Sequence, residues 1–297
     1  MSGFSRAPRP SYATLPDCAP PYPTILDFLD KRFPKLGRDV WQARLDQGKI
    51  RDDRGQLIDL DTPYQPALRL CYFREVDKEP SIPFREKILY QDERILIADK
   101  PHFLPVTPAG PYVNECLLYR LRADTGLQEI VPVHRIDRET AGLVMFSIDR
   151  RTRGLYHELF SAGHARKCYE AIATLPAEQD RETWLIKNRI VAGEPWFRVK
   201  VAEGEVNAIS KITVMQRKGS IGRFRLEPLT GKQHQLRLHL SLIGSQILND
   251  RYYPHLQPKH ADDFEHPLQL LAQELCFRDP VANKMREFQS TQSLEFP

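Results

Sequence analysis

The stretch VPVHRIDRETAGLVMFSIDRRTRGLYHELFSAGHARKCYEAI, residues 131–172, decides how this chain is read. It opens on a polar loop, enters the apolar run GLVMFSI, and continues through DRRTRGLYHELFSAG to RKCYEAIAT. Apolar runs bounded by polar turns predict strands over 142–148 and 166–174. Leu155, Leu159 and Phe160 at helical spacing predict a helix between them, capped by Asp149. Asp137 lies in the opening loop, between Arg135 and Arg138. A carboxylate beside cations at a loop end stays ionised, as a nucleophile or electrostatic stabiliser requires. Taken alone, most such aspartates only cap backbone amides or pair with a neighbouring arginine.

Working outward, ILIADKPH (95–102) reads as a buried strand running into a proline-broken loop. EVNAISKITVMQ (205–216) and GRFRLEPL (222–229) read as two more strands. QLRLHLSLIG (235–244) fits two patterns at once. Leu236, Leu238, Leu240 and Leu242 alternate as in a strand, whereas Leu236, Leu240 and Ile243 make a helical stripe stopped by Gly244. Elements mixed without a regular β-α-β alternation predict an α+β fold with a largely antiparallel sheet.

At 297 residues the chain accommodates two unequal domains. Residues 1–22 are proline-rich and read as an extended arm or a strap over the surface. Residues 23–80 read as a small α/β unit: Ile25, Phe28 and Leu29 predict one helix, and Val40, Trp41 and Leu45 a second. Lys31, Arg32, Lys35, Arg38, Arg44, Lys49, Arg51 and Arg54 cluster there, but the interleaved aspartates favour a solvated face over a phosphate track. REVDKEPSIPFR (74–85) reads as a linker, and the larger domain spans 85–297. Charge excess is only +4, which permits an RNA partner without demanding one. Five scattered cysteines without a Cys-x-x-Cys predict reduced thiols and neither zinc site nor disulfide framework. With no signal-peptide pattern and no bilayer-length apolar run, the expected location is the cytoplasm, off the membrane.

Other candidate groups are weaker on their own. His134 and Asp137 suggest part of a hydrolase triad, but no G-x-S-x-G nucleophile elbow exists. Asp99 with Lys100 suggests a phosphate or metal site, yet no P-loop or acidic cluster accompanies them, and a structural pair is expected. Tyr169 reads as a half-buried sheet tyrosine or as a stacking face for an extruded base. His234, Arg237 and Ser241 share a face if their segment is helical.

Four motifs then combine. HRIDRETAGL resembles the H-R-L-D-x-x-T-S-G-L signature of the RluA family of pseudouridine synthases, and LTGKQHQLRLHLSLIGSQILNDRYY resembles its T-G-R-x-H-Q-I-R-x-H-L signature, which ends in a glycine, an acid and a tyrosine. KCYEA is similar to the family's lysine-x-tyrosine-x-alanine strand, and ILIADKPHFLPVTP to its D-K-P-x-G-L-x-V-x-P strand. DVWQARLDQGKI, in the N-terminal unit, resembles an S4 RNA-binding module.

The resemblance implies that Asp137 is the catalytic aspartate, Tyr169 the ring against the target uracil and Arg237 the arginine paired with the carboxylate. It implies that Arg135 fills the place of the flipped nucleotide, with His134, Arg138, Lys167 and Gln235 as further RNA contacts. It also implies a mixed, mostly antiparallel central sheet with flanking helices, makes 235–244 a helix beginning near Gln233, and implies neither metal nor organic cofactor. Ribosomal and transfer RNA are both open as substrates, and a monomer is the default. Ala141 replaces the usual Ser, His102 stands where a small residue is usual, and Gln233 where Thr is common. Two other readings compete: an inactive RNA-binding protein on the same fold, and a two-carboxylate nucleoside or glycoside hydrolase.

Overall fold

Contacts within the chain group Met1–Pro80 with Ala109–Asn114 as one unit and Ser81–Pro108 with Glu115–Pro297 as another. The computed structural model describes residues 5–19, 21–34, 36–177, 180–258 and 261–296.

The first unit contains β1 (Ser5–Arg6), β2 (Ser11–Thr14), α1 (Ile25–Arg32), α2 (Arg38–Asp46), β3 (Ile50–Asp52), β4 (Arg69–Tyr72) and β5 (Glu75–Val76). Helix α1 starts where Thr24 and Asp27 form a capping box, each side chain holding the other's backbone amide. It buries Ile25, Leu26, Phe28 and Leu29 against Trp41 and Leu45 of α2 and against Ile50 and Leu70. Strands run in the order β2-β4-β3. The segment read as an outlying arm therefore supplies a strand, and Leu15 belongs to the unit's core. Its prolines flank Ser11–Thr14 rather than interrupt it, which leaves the ladder donors intact. Two members of the basic cluster are neutralised, Arg38 at 2.9 Å from Asp27 and Lys49 at 2.7 Å from Glu75. Lys35 lies outside the described residues. Cys18 and Cys71 here are partly exposed, whereas Cys116, Cys168 and Cys276 of the second unit are buried.

The second unit follows with β6 (Lys87–Gln91), β7 (Ile95–Lys100), α3 (Leu117–Thr125), β8 (Val131–Pro132), β9 (Ala141–Ser147), α4 (Arg153–Ser161) and β10 (Arg166–Thr174). It continues through β11 (Thr183–Ala192), β12 (Val199–Ala202), β13 (Ala208–Lys218), β14 (Ile221–Pro228), α5 (Gln235–Leu242), β15 (Leu270–Arg278) and β16 (Met285–Gln289). One sheet runs β12-β11-β13-β14-β10-β15-β9-β7-β6, with β8 on β9 and β16 on β15. Every pairing is antiparallel except β9 with β15, so the sheet is mixed and mostly antiparallel, as expected.

That parallel seam explains one residue of the opening motif. Gly142 faces Ala272 with φ 109°, and a Cβ there would come within 2.3 Å of the Ala272 carbonyl oxygen. Only glycine lets the strands close at this point. Helix α5 lays Leu236 and Leu240 on Trp184, Ile212, Phe224 and Leu226, which settles the ambiguous segment as helical. Helix α4 differs in detail from the expectation. Asp149 accepts from the Arg151 amide and guanidinium instead of capping the helix, and Tyr156 with Leu159 is buried while Leu155 is exposed.

Candidate active site

Asp137 sits in the loop between β8 and β9, just before the glycine that fixes the seam. Its carboxylate is partly exposed, with Oδ1 3.8 Å from His234 Nε2 and Oδ2 3.6 Å from Arg237 Nη1. Those distances are ion-pair range but longer than a hydrogen bond. His234 caps α5 in a left-handed conformation, φ 50°, with Nδ1 3.3 Å from the Tyr253 hydroxyl. Burial holds its imidazole below the ordinary histidine range, against the pull of Asp137.

The arginine's strong partner is a different carboxylate. Arg237 Nε and Nη2 form a bidentate fork on Asp250 at 2.8 and 2.6 Å, both side chains almost fully buried. Asp250 also accepts the backbone amides of Tyr252 and Tyr253. The remaining amino group, Nη1, is buried with no hydrogen-bond partner among the described residues, and it points between Asp137 and Glu139, 3.8 Å from the latter. Burial opposes the guanidinium charge, but Asp250, Asp137 and Glu139 outweigh it and raise the pKa further. Arg237 is thus in ion-pair range of Asp137, as expected, but its hydrogen bonds go to Asp250 and leave one donor facing Asp137.

Tyr169 stands on β10 opposite Leu226, half-buried, and its hydroxyl has no hydrogen-bond partner among the described residues. Burial, reinforced by the Asp137 charge, raises its pKa above the ordinary phenol range, so the ring stays neutral. Lys167 is on the same face two residues earlier, makes no ion pair among the described residues, and its pKa is lowered by burial. Arg135 is exposed and likewise unpaired among them. Of these groups, Tyr169 is near enough to Asp137 to feel its charge.

Three expected RNA contacts serve the scaffold instead. His134 Nε2 accepts the Met145 amide at 3.1 Å and its ring stacks on Phe160 at 4.4 Å. Burial, with Lys167 adding to it, pushes that imidazole down to about 3, so it stays uncharged. Arg138 makes a bidentate pair with Asp262 at 2.8 and 2.9 Å and a further bond to Glu139, which leaves little of its charge for phosphate. Gln235 is buried: its carbonyl accepts from Thr230 and the Lys232 amide, and its amide donates to Ile209 O and Ser210. It stitches the loop before α5 to β13.

Asp99 and Lys100 do not pair with each other. Asp99 accepts from Ser290, Thr291 and Gln292, while Lys100 donates to the carbonyls of Pro101, Leu104 and Arg138. Burial pushes the Lys100 ammonium down to about 7. His102 Nδ1 meets Glu139 O at 2.6 Å. The family's glycine in this loop aligns with Phe103 rather than His102, and Phe103 carries the left-handed φ of 65°. Among the described residues no cluster of three or more His, Cys, Asp or Glu is placed to hold a metal ion. Asp250 and Glu139 were missed as site residues, although Asp250 is the acid that ends the second signature, and His234 was noted only as one of a possible helix face.

The sequence model of the RNA pseudouridylate synthase family matches residues 94–242. The dual-specificity RNA pseudouridine synthase RluA of Vibrio cholerae is 30% identical over 200 residues, 67% of this chain and 80% of that protein. The chain belongs to the RluA family of RNA pseudouridine synthases. An uncharacterised RNA pseudouridine synthase from Synechocystis is 29% identical over 230 residues, 77% of this chain and 79% of its own. The fold of the synthase matches human RNA pseudouridylate synthase domain containing 1, with TM-score 0.59 at 18% identity over 72% of this chain and 86% of that one. As a family member the synthase is an isomerase that flips uridines of RNA and uses an aspartate to convert them to pseudouridine.

Proposed function

We propose that Asp137 is the reacting carboxylate, that Arg237, Tyr169 and Arg135 serve it, and that the substrate is a uridine in ribosomal or transfer RNA. The observation that carries this reading is the buried Arg237 Nη1, an unused donor 3.6 Å from Asp137. A small approach of the carboxylate on substrate binding completes a charge-assisted hydrogen bond, as catalytic contacts often tighten only in the complex.

The reaction breaks N1–C1′, turns the uracil and joins C5 to C1′. The uridine first leaves its stack at a cost of a few kcal/mol, which favours loops and weakly paired sites. The exposed Arg135 fills the vacated space, Tyr169 holds the ring, and Lys167 meets a backbone phosphate. Three roles stay open to Asp137: attack on C1′, stabilisation of cationic character there, or removal of a proton from C2′. The N-terminal unit, two helices packed on a three-stranded sheet, is read as the S4-like module that adds affinity for RNA. An RNA substrate and five free cysteines suit a cytoplasmic monomer.

A two-carboxylate hydrolase needs one carboxyl protonated as general acid. Glu139, the other acid of the site, is opposed by burial but held below its ordinary range by Arg237 and Arg138, so it stays ionised. For the chosen reading, Asp137→Asn is expected to abolish tritium release from C5-labelled RNA while leaving RNA affinity within about threefold. Pseudouridine formation by that variant would sink the assignment, and release of free uracil by the native enzyme would favour the hydrolase.

A further inference from the structure

The chain has three tryptophans. Trp41 and Trp184 are core residues at 0% and 5% exposure, but Trp196 is 67% exposed. It lies in the turn joining β11 to β12, which is held firmly. Gly193 N donates to Arg198 O at 2.9 Å and Arg198 N to Pro195 O at 2.8 Å. Gln233 Nε2 reaches Phe197 O at 3.3 Å, and Arg198 Nη2 reaches Pro254 O at 2.9 Å. The turn is therefore tied to the loops that precede and follow α5.

From Trp196 a wall of rings leads inward. Its indole meets Phe197 edge-on at 5.8 Å, Phe197 lies 5.2 Å from Tyr252, and Tyr252 lies 5.6 Å from His234, whose Nε2 is 3.8 Å from Asp137. Lys200 follows the turn and Lys232 precedes Gln233, which is bonded to it; both are exposed and offer positive charge to a nucleic-acid backbone, with Glu194 of the turn opposing it.

We propose that Trp196 is a stacking platform for an unpaired base neighbouring the target uridine, an assignment that rests on the function read above. A base is the favoured occupant because an exposed aromatic face on a firmly held turn stacks on any nucleobase of a single-stranded segment. The neighbouring nucleotide then contributes affinity that a uridine alone lacks, and selects targets in loops rather than in continuous duplex.

The test uses the full chain carrying Asp137→Asn, titrated with an RNA stem-loop whose loop contains unpaired uridines. Tryptophan emission is expected to quench to saturation, and Trp196→Phe to remove the quench, since the remaining two indoles are buried. Trp196→Ala is expected to raise the Kd by roughly tenfold, and Trp196→Phe by less than about threefold because it still stacks. In the otherwise native enzyme, Trp196→Ala raises KM for RNA and leaves kcat at saturation unchanged. An unquenched Trp196, or equal Kd for the native residue and alanine, overturns the proposal. A concentration-dependent oligomer abolished by Trp196→Ala overturns it in favour of a protein contact. Pseudouridine formation with an unchanged KM defeats this inference alone, whereas absence of pseudouridine defeats the functional reading while the quench still decides the stacking.

Discussion

At the scale of single residues, Arg237 carries a burden that its spacing in the sequence does not announce. Its charge is buried, so its stability depends on Asp250, and the catalytic role proposed for it depends on the one amino group left over. Arg237→Lys keeps the charge but not the fork, and is expected to cut kcat by at least about a hundredfold in single-turnover assays. Asp250→Ala strands a buried guanidinium and should destabilise the fold by about 3–5 kcal/mol in urea titrations. Gly142→Ala brings a Cβ against the Ala272 backbone, and an unfolded or aggregated product on size exclusion is the expected outcome. Asp137, Tyr169 and Arg237 were singled out because their motifs fix residue type and spacing together. The Arg237–Asp250 pairing was not, since nothing in spacing tells which of several acids an arginine will meet. Gln235 and Arg138 were misread for a related reason: a polar residue in a motif looks the same whether it faces substrate or satisfies buried backbone.

At the scale of elements, the site is assembled from loops that stand at strand ends and are fastened by a few polar groups. Lys100 ties the loop after β7 to the Asp137 loop through the Arg138 carbonyl. Asp262 grips Arg138 from the segment before β15, and Phe264 of the same segment packs edge-on against Phe103 at 5.1 Å. Asp262→Asn weakens a bidentate charge-assisted contact worth about 1.5–3 kcal/mol. The expected result is faster hydrogen exchange at amides 134–140 and a several-fold fall in kcat, with RNA affinity retained. Unchanged exchange there would show that Asp262 does not brace the loop. The strands and helix α5 were readable from periodicity and the family pattern, yet the start of α4 was not. Asp149 made a good cap by composition, but a neighbouring arginine at Arg151 won its carboxylate first.

At the scale of the whole molecule, the second unit stores neutral histidines in its interior. Burial holds His134 down to about 3 and His102 and His239 to about 4. The unfolded chain binds their protons near the ordinary value of 6.5, so it gains protons before the folded state does. Their contribution to stability is therefore complete above that value and is lost as pH drops from 6.5 toward 4, by an amount on the order of a few kcal/mol in total. The urea midpoint at pH 5 should lie clearly below that at pH 7, and His134→Gln should flatten part of the slope. A midpoint independent of pH over that window would mean that the imidazoles find charge partners on acidification.

The distribution of thiols gives the experimenter a handle on one part of the chain. Cys116, Cys168 and Cys276 are enclosed in the second unit, and burial raises the Cys168 thiol to about 12 and lifts that of Cys276 as well. Cys18 and Cys71, partly exposed, both belong to the first. Because the thiolate is the reactive form, a maleimide dye at neutral pH should mark only the N-terminal unit of the folded enzyme. The same dye, added during unfolding, becomes a clock for the catalytic unit, each newly modified cysteine reporting when that region of its core first opens.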